Sequence, residues 1–192
     1  MAFWSEPLTQ NSGDPKRKFR FTVNFPGLQF GDGSGVVWFA KTVTKPSFTV
    51  TETDHTFLDK KYYYPGRVEW QTVAFTLVDP ADGSEQDAVK QMNQIIETSG
   101  YIIPKDASDA KNLATISKGK SNFALGIVVI NQIDAEGRVI ESWTLNNAFA
   151  TEMKFGDLDY TGDELIELSL TLRYDWATCD IRGEKFYTLQ EK

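Results

Sequence analysis

"ELIELSLTLRYDWA" (residues 164–177) keeps a strict period of two: Ile166, Leu168, Leu170, Leu172, Tyr174 and Trp176 alternate with Glu167, Ser169, Thr171, Arg173 and Asp175. Successive side chains of an extended chain point to opposite faces, so this run reads as one long strand with a dry side and a wet side. The same period appears at Phe19, Phe21, Val23 and Phe25, where Pro26-Gly27 ends it. Phe48 and Val50 share a face in "SFTVTET" (47–53), after a run "VVWFAKTV" (36–43) that also reads as extended.

Working outward, "YYYPGRVEWQTVAFTLVDP" (62–80) reads as a Pro-Gly turn followed by a long strand. Its apolar phase is Val68 and Trp70 at first, then Val73, Phe75 and Leu77, so it slips by one near Gln71 and Thr72. A β-bulge accounts for the slip most simply. "FALGIVVINQI" (123–133) is apolar on both faces and fits a central strand; "DAEG" (134–137) turns, and "RVIESWTL" (138–145) returns antiparallel. A further strand through Thr151, Met153 and Phe155 leads into the opening run.

One stretch has helical spacing. Ser84 is placed as an N-cap with Asp87 three residues on, Ala88, Val89, Met92, Ile95 and Ile96 share a face, and Gly100 supplies the stop. Roughly six to eight strands, one main helix and no βαβ rhythm give a mainly β chain: an antiparallel β-sandwich or barrel with one flanking α-helix. Residues 1–15 read as an extended arm, "FGDGSG" (30–35) as a glycine-rich loop, and 104–122 as a polar surface excursion, all within a single domain, 1–192.

Composition excludes several functions. The 192 residues are 41% hydrophobic, enough for a real core, and 27 Asp and Glu against 20 Lys and Arg give a net charge of −7. That balance argues against a protein that grips phosphate backbones. The lone Cys179 rules out an internal disulfide framework and a multi-cysteine zinc site. Nothing around it, in "DWATCDIRG" (175–183), resembles an activated thiol, and the lone His55 reads as a solvated strand end or loop. No run approaches the ~18–20 apolar residues of a membrane span, and the N-terminus lacks the charge order of a secretory signal, so the expectation is a chain without a membrane anchor, made in the cytoplasm.

The acidic run "GDLDYTGDE" (156–164) invites a calcium test. Setting Asp157, Asp159, Thr161 and Gly162 at positions 1, 3, 5 and 6 of an EF-hand loop puts Leu168 where a bidentate Glu must stand, and Glu164 at a normally apolar position. Its flanks are strands rather than helices, so it reads as a solvated or intersubunit turn. "GDGSG" lacks the Lys-Ser/Thr ending and following helix of a phosphate loop. No motif argues for an enzyme, a cofactor or a metal.

"FATEMKFGDLDYTGDELIELSLTLRYDWA" (149–177), with "KFRFTVNFPG" (18–27) and "KTVTKPSFTVTE" (41–52), resembles the tail tube proteins of contractile-tailed bacteriophages, and more distantly bacteriocin tubes and the Hcp rings of type VI secretion. The resemblance covers about two-thirds of the chain and is most specific where a "K-F-G-D" turn leads into the long strand ending Tyr-Asp-Trp. It implies a structural subunit whose six copies close a ring, with rings stacked into a hollow tube in the virion tail. It implies partners too: a sheath, a baseplate, tape-measure and tail-terminator proteins, and double-stranded DNA that passes without specific binding. On this reading Phe155, Asp157, Asp159, Tyr160 and Asp163 are candidate subunit-interface residues, and Glu167, Ser169, Thr171, Arg173 and Asp175 candidate lumen-facing ones. Six copies at −7 carry about −42, which would repel rather than trap the polymer. An Hcp-like secretion tube subunit is the nearest alternative, and a monomeric β-barrel with an apolar ligand pocket is the alternative from another class.

Replacing Asp157, Asp159 and Asp163 with Asn should alter assembly or its salt dependence and release no bound metal; elemental analysis of the purified protein before and after the change checks this.

Overall fold

The computed structural model describes residues 15–27, 40–80, 87–103 and 114–188. The readings of the N-terminal arm, the glycine-rich loop, the Ser84 cap and most of 104–122 lie outside them. Eleven strands and two helices follow in chain order: β1 (Phe21–Asn24), β2 (Ala40–Val43), β3 (Phe48–Phe57), β4 (Lys60–Trp70), β5 (Val73–Val78), α1 (Ala88–Thr98), α2 (Lys118–Leu125), β6 (Val128–Ile133), β7 (Val139–Asn146), β8 (Phe149–Lys154), β9 (Glu167–Arg173), β10 (Trp176–Ile181) and β11 (Glu184–Phe186). They form a five-stranded sheet β1-β6-β7-β10-β11, a four-stranded sheet β2-β5-β9-β8, and a two-stranded ribbon β3-β4, with antiparallel pairing throughout. The mainly β, sandwich-like class is therefore observed, with both main sheets open rather than closed into barrels.

The two main sheets meet face to face. Val73, Phe75 and Leu77 of β5 and Leu168, Leu170 and Leu172 of β9 are buried against Val23, Val128, Ile130, Leu145 and Ala177 of the other sheet. Each leucine shut away from water in this way contributes ~2–3 kcal/mol. The Phe25 and Phe75 rings meet edge-on at 5.1 Å, joining the sheets near one end. Met92 and Ile95 of α1, with Ala124 and Leu125 of α2, complete the same cluster.

Five expectations need correction, each for a physical reason. The long alternating run is two strands: β9 lies in the four-stranded sheet and β10 in the five-stranded one, with the chain crossing at Tyr174-Asp175. The buried phase then moves to Ala177 and Cys179, leaving Trp176 only half-buried. The phase slip at Gln71-Thr72 is likewise a boundary, where the chain leaves the ribbon and enters β5, held by the Gln71 amide donating to the Ser47 carbonyl at 2.8 Å.

Pro65-Gly66 is not a turn. It lies inside β4, where the register against β3 shifts between Val50 and Glu52, and this bulge suits a residue with no amide to donate. The turn is at Leu58-Asp59, with Leu58 at φ 55°.

The N-cap of α1 is Asp87, whose carboxylate accepts from the Val89 and Lys90 amides, while Gly100 at φ 100° follows the helix end as expected. A second helix, capped by Ser117, occupies Lys118–Leu125, so the strand expected from Phe123 begins only at Val128.

Gly27 explains how that second helix docks. Its amide donates to the Leu125 carbonyl, and a Cβ there would lie 2.2 Å from the Ala124 carbonyl oxygen. Backbone cannot yield as a side chain tip can. Gly27→Ala should therefore cost about 1–3 kcal/mol or more, read as a lower denaturation midpoint at unchanged slope.

Candidate assembly surfaces

The ribbon β3-β4 is the most unusual surface. From Phe48 to Glu69 every residue is exposed, including Val50, Phe57, Leu58, Tyr62, Tyr63, Tyr64 and Val68; only Trp70 at its base is half-buried. Neither strand pairs with anything but the other, so both outer edges present amides and carbonyls without a strand partner among the described residues. A two-stranded hairpin is marginal by itself, and this one exposes many large apolar side chains. The sequence carried a signal in three consecutive tyrosines, but a strand exposed on both sides has no phase to reveal it.

The ribbon's base is clamped. Trp70 meets Phe48 at 5.2 Å, Tyr187 at 5.7 Å and Tyr174 at 5.9 Å, and Trp143 stacks on Tyr187 at 6.5 Å. Burial pushes the Tyr174 hydroxyl up to about 12, so it stays protonated and neutral within this cluster.

Below it, Glu141 of β7 is 7% exposed and gathers Lys16, Lys45 and Trp143: the Lys45 ammonium and the Trp143 indole N–H each reach Glu141 Oε1 at 2.6 Å, and Lys16 donates to Oε2. Burial opposes ionisation there, but the three donors outweigh it and hold the carboxyl at about 2. The segment before β1 and the segment before β3 are thus pinned to the same strand.

The loop from Phe155 to Ile166, between β8 and β9, carries all five interface candidates. Phe155, Asp157, Asp159, Tyr160 and Asp163 are all exposed, Tyr160 completely, with Leu158 at 86% beside it. Asp159 folds the loop on itself by accepting from the Thr161 amide at 3.0 Å and hydroxyl at 2.7 Å, which lowers its pKa. At the loop's root Gly156 has φ 79° and a missing Cβ that would sit 2.9 Å from the Glu167 carbonyl oxygen, so only glycine fits.

Four of the five lumen candidates, Glu167, Ser169, Thr171 and Arg173, lie on the outward face of β9, opposite the buried leucines. Their cross-strand neighbours are Thr76, Glu152 and Lys154 together with Val78, Ala74 and Phe149, so this face mixes polar and apolar side chains. Its charges largely pair off: Lys154 meets Glu152 at 3.1 Å, and Lys41 binds Glu167. The face is balanced rather than acidic.

Asp175 is elsewhere. At the crossing corner it accepts from Lys118 of α2 at 2.6–2.7 Å and from Asn147 at 2.9 Å, interactions that lower its pKa. Cys179 is buried in β10, its thiol pKa raised by that burial, whereas His55 is exposed in the outer half of β3, facing Tyr62. Among the described residues no cluster of His, Cys, Asp or Glu is placed to hold a metal, and no helix is long and apolar enough to cross a membrane.

No family model matches the chain, and no curated protein does. Solved structures do match. A chain of the 6-fold symmetrised baseplate of the anti-feeding prophage superposes with a TM-score of 0.61 at 16% identity, covering 87% of this chain and 96% of that one. A chain from the cap that terminates the tube of the same particle gives 0.60 at 17%, covering 94% and 99%. One from the PVC sheath–tube complex, an extracellular contractile injection system in its extended state, gives 0.56 at 16%, covering 87% and 92%. At such identities the likeness shows the fold, and that fold is the tube-protein fold of contractile injection systems.

The Glu141 cluster has a pH signature. Because the folded carboxyl lies at about 2, below its ordinary 4.5, its contribution is complete above pH 4.5 and fades as pH falls towards 2. Half-exposed lysines limit it to about 1–3 kcal/mol. Glu141→Gln should lose that amount at pH 7 and flatten the acid limb of a stability–pH curve measured by urea unfolding.

Proposed function

We propose that this protein is the structural, non-catalytic subunit of a tube in a contractile injection system, acting as one domain that closes into six-membered rings stacked end to end. The observation that carries this reading is the ribbon. Among the described residues, the paired strands from Phe48 to Glu69 have no further strand partner on either edge and are exposed on both faces, a surface suited to pairing with another chain. The shared fold supports the same conclusion, since the similar chains come from a baseplate, a tube cap and a sheath–tube complex.

In this assembly the outward face of β9, with Glu167, Ser169, Thr171 and Arg173, lines the lumen. Small hydroxyls and paired charges form a wet wall that holds no passing polymer. Asp175 belongs to the corner instead. The loop bearing Phe155, Asp157, Asp159, Tyr160 and Asp163 meets a neighbouring subunit. Sheath, baseplate, tape-measure and terminator proteins are the partners of such a tube.

The cargo distinguishes two readings. In a phage tail, assembled in the host bacterial cytoplasm, the lumen conducts double-stranded DNA; the likeness to chains of the anti-feeding prophage and of PVC favours an extracellular injection particle as the second. Extraction of nucleic acid from purified particles containing this chain separates them.

Replacing Thr53–Tyr64 by a tight two-residue turn tests the ribbon itself. The shortened chain should keep its near-ultraviolet circular dichroism, yet sediment as a monomer and show no rings or tubes in negative stain under conditions where the parent assembles. Tubes from the shortened chain would defeat the reading.

A further inference from the structure

A groove of about 590 Å³ opens where the five-stranded sheet's β1 edge approaches the four-stranded sheet's β2 edge. Phe21, Ile130 and Trp143 supply its apolar floor, and Lys18, Lys41 and Lys45 its rim. Its volume falls within the ~300–1,000 Å³ of built binding clefts. The surrounding charge is positive: Lys16, Lys18, Lys41 and Lys45 outnumber the carboxylates that act on them, Glu141 and Glu167 by direct ion pairs and Glu164 at longer range from Lys41. In a chain of net charge −7 this is a local inversion of sign.

The β8-β9 loop has the opposite character. It presents Asp157, Asp159, Asp163 and Glu164 around Leu158, Tyr160 and Leu165, whose side chains are 73% exposed or more. Acids surround apolar tips on the loop; lysines surround an apolar floor in the groove. The two surfaces are complementary in charge and in apolar character, and complementary potentials steer encounter and fix register.

β2 is one edge of the four-stranded sheet and β8, where the loop departs, is the other. Two different surfaces of one subunit that complement each other produce a head-to-tail contact between copies, which closes a ring when the rotation allows. We infer that the acidic β8-β9 loop of one copy docks, Tyr160 first, into the lysine-rimmed groove of the next copy. This rests on the tube reading and names the contact that would join its subunits.

Two measurements test it. The native Cys179 is buried, so chains carrying Phe19→Cys alone and chains carrying Tyr160→Cys alone can be mixed and treated with a short thiol–thiol cross-linker. Products joining 19 to 160 should exceed 19–19 and 160–160 products.

In parallel, Asp157→Lys with Asp163→Lys in one chain, and Lys18→Glu in another, should each raise the concentration needed for assembly on the order of tenfold or more. Mixing the two variants should lower that concentration again, because in an alternating ring the substituted loop meets the substituted groove and the unaltered acids meet the unaltered lysines. Assemblies that form without 19–160 products, and at parent concentrations despite the reversed loop charges, would overturn the docking and spare the tube. A parent chain that stays monomeric at high concentration would overturn both.

Discussion

The corner at Tyr174-Asp175 is the constraint on which the rest of the fold depends. β9 and β10 are almost contiguous, yet they belong to different sheets, so this short passage fixes the distance and angle between the two layers. A run of alternating leucines could otherwise bury its dry face in any sheet. Here the Asp175 amide donates to the Asn146 carbonyl, and its carboxylate holds Lys118 and Asn147. The same few atoms thereby seat α2 against the seam, and the neutral Tyr174 beside them joins the aromatic cluster that clamps the ribbon's base. Sheet, helix and ribbon are positioned from one turn of chain.

Local physics made most strands legible. Val23, Leu168, Leu170 and Leu172 alternate with polar neighbours because each lies in a sheet with one buried face, and a period of two follows from that directly. The crossing at Tyr174-Asp175 was not legible, because alternation through Trp176 says nothing about which sheet the next residue joins. Nor was α2: "KGKSNFAL" has little amphipathic contrast and contains a glycine, so it offers no helical stripe. Its identity is settled by what it touches, the Gly27 backbone and the Asp175 carboxylate.

The surfaces divide in the same way. The β8-β9 loop could be read, since acids, glycines and an unsupported tyrosine are contiguous in sequence. The groove could not. Lys18, Lys41 and Lys45 meet Ile130 and Trp143 only after two sheets converge, and no window of sequence contains them together. The ribbon fell between these cases. Its residues are contiguous, but strand patterning detects asymmetry between faces, and a ribbon wet on both sides has none.

That lack of asymmetry is itself informative about energetics. Ordering one residue's backbone costs ~1–2 kcal/mol, and a strand usually offsets this by burying one face and pairing both edges. Among the described residues, the ribbon from Phe48 to Trp70 has one paired edge per strand, a clamp at the base, and little burial. Selection for a stable monomer would shorten such a ribbon or cover it with charge. On the tube reading, the tyrosines, two phenylalanines and two valines it retains find the missing burial in another molecule. The monomer's marginal element and the assembly's cohesion are then one quantity, counted before and after a neighbour arrives.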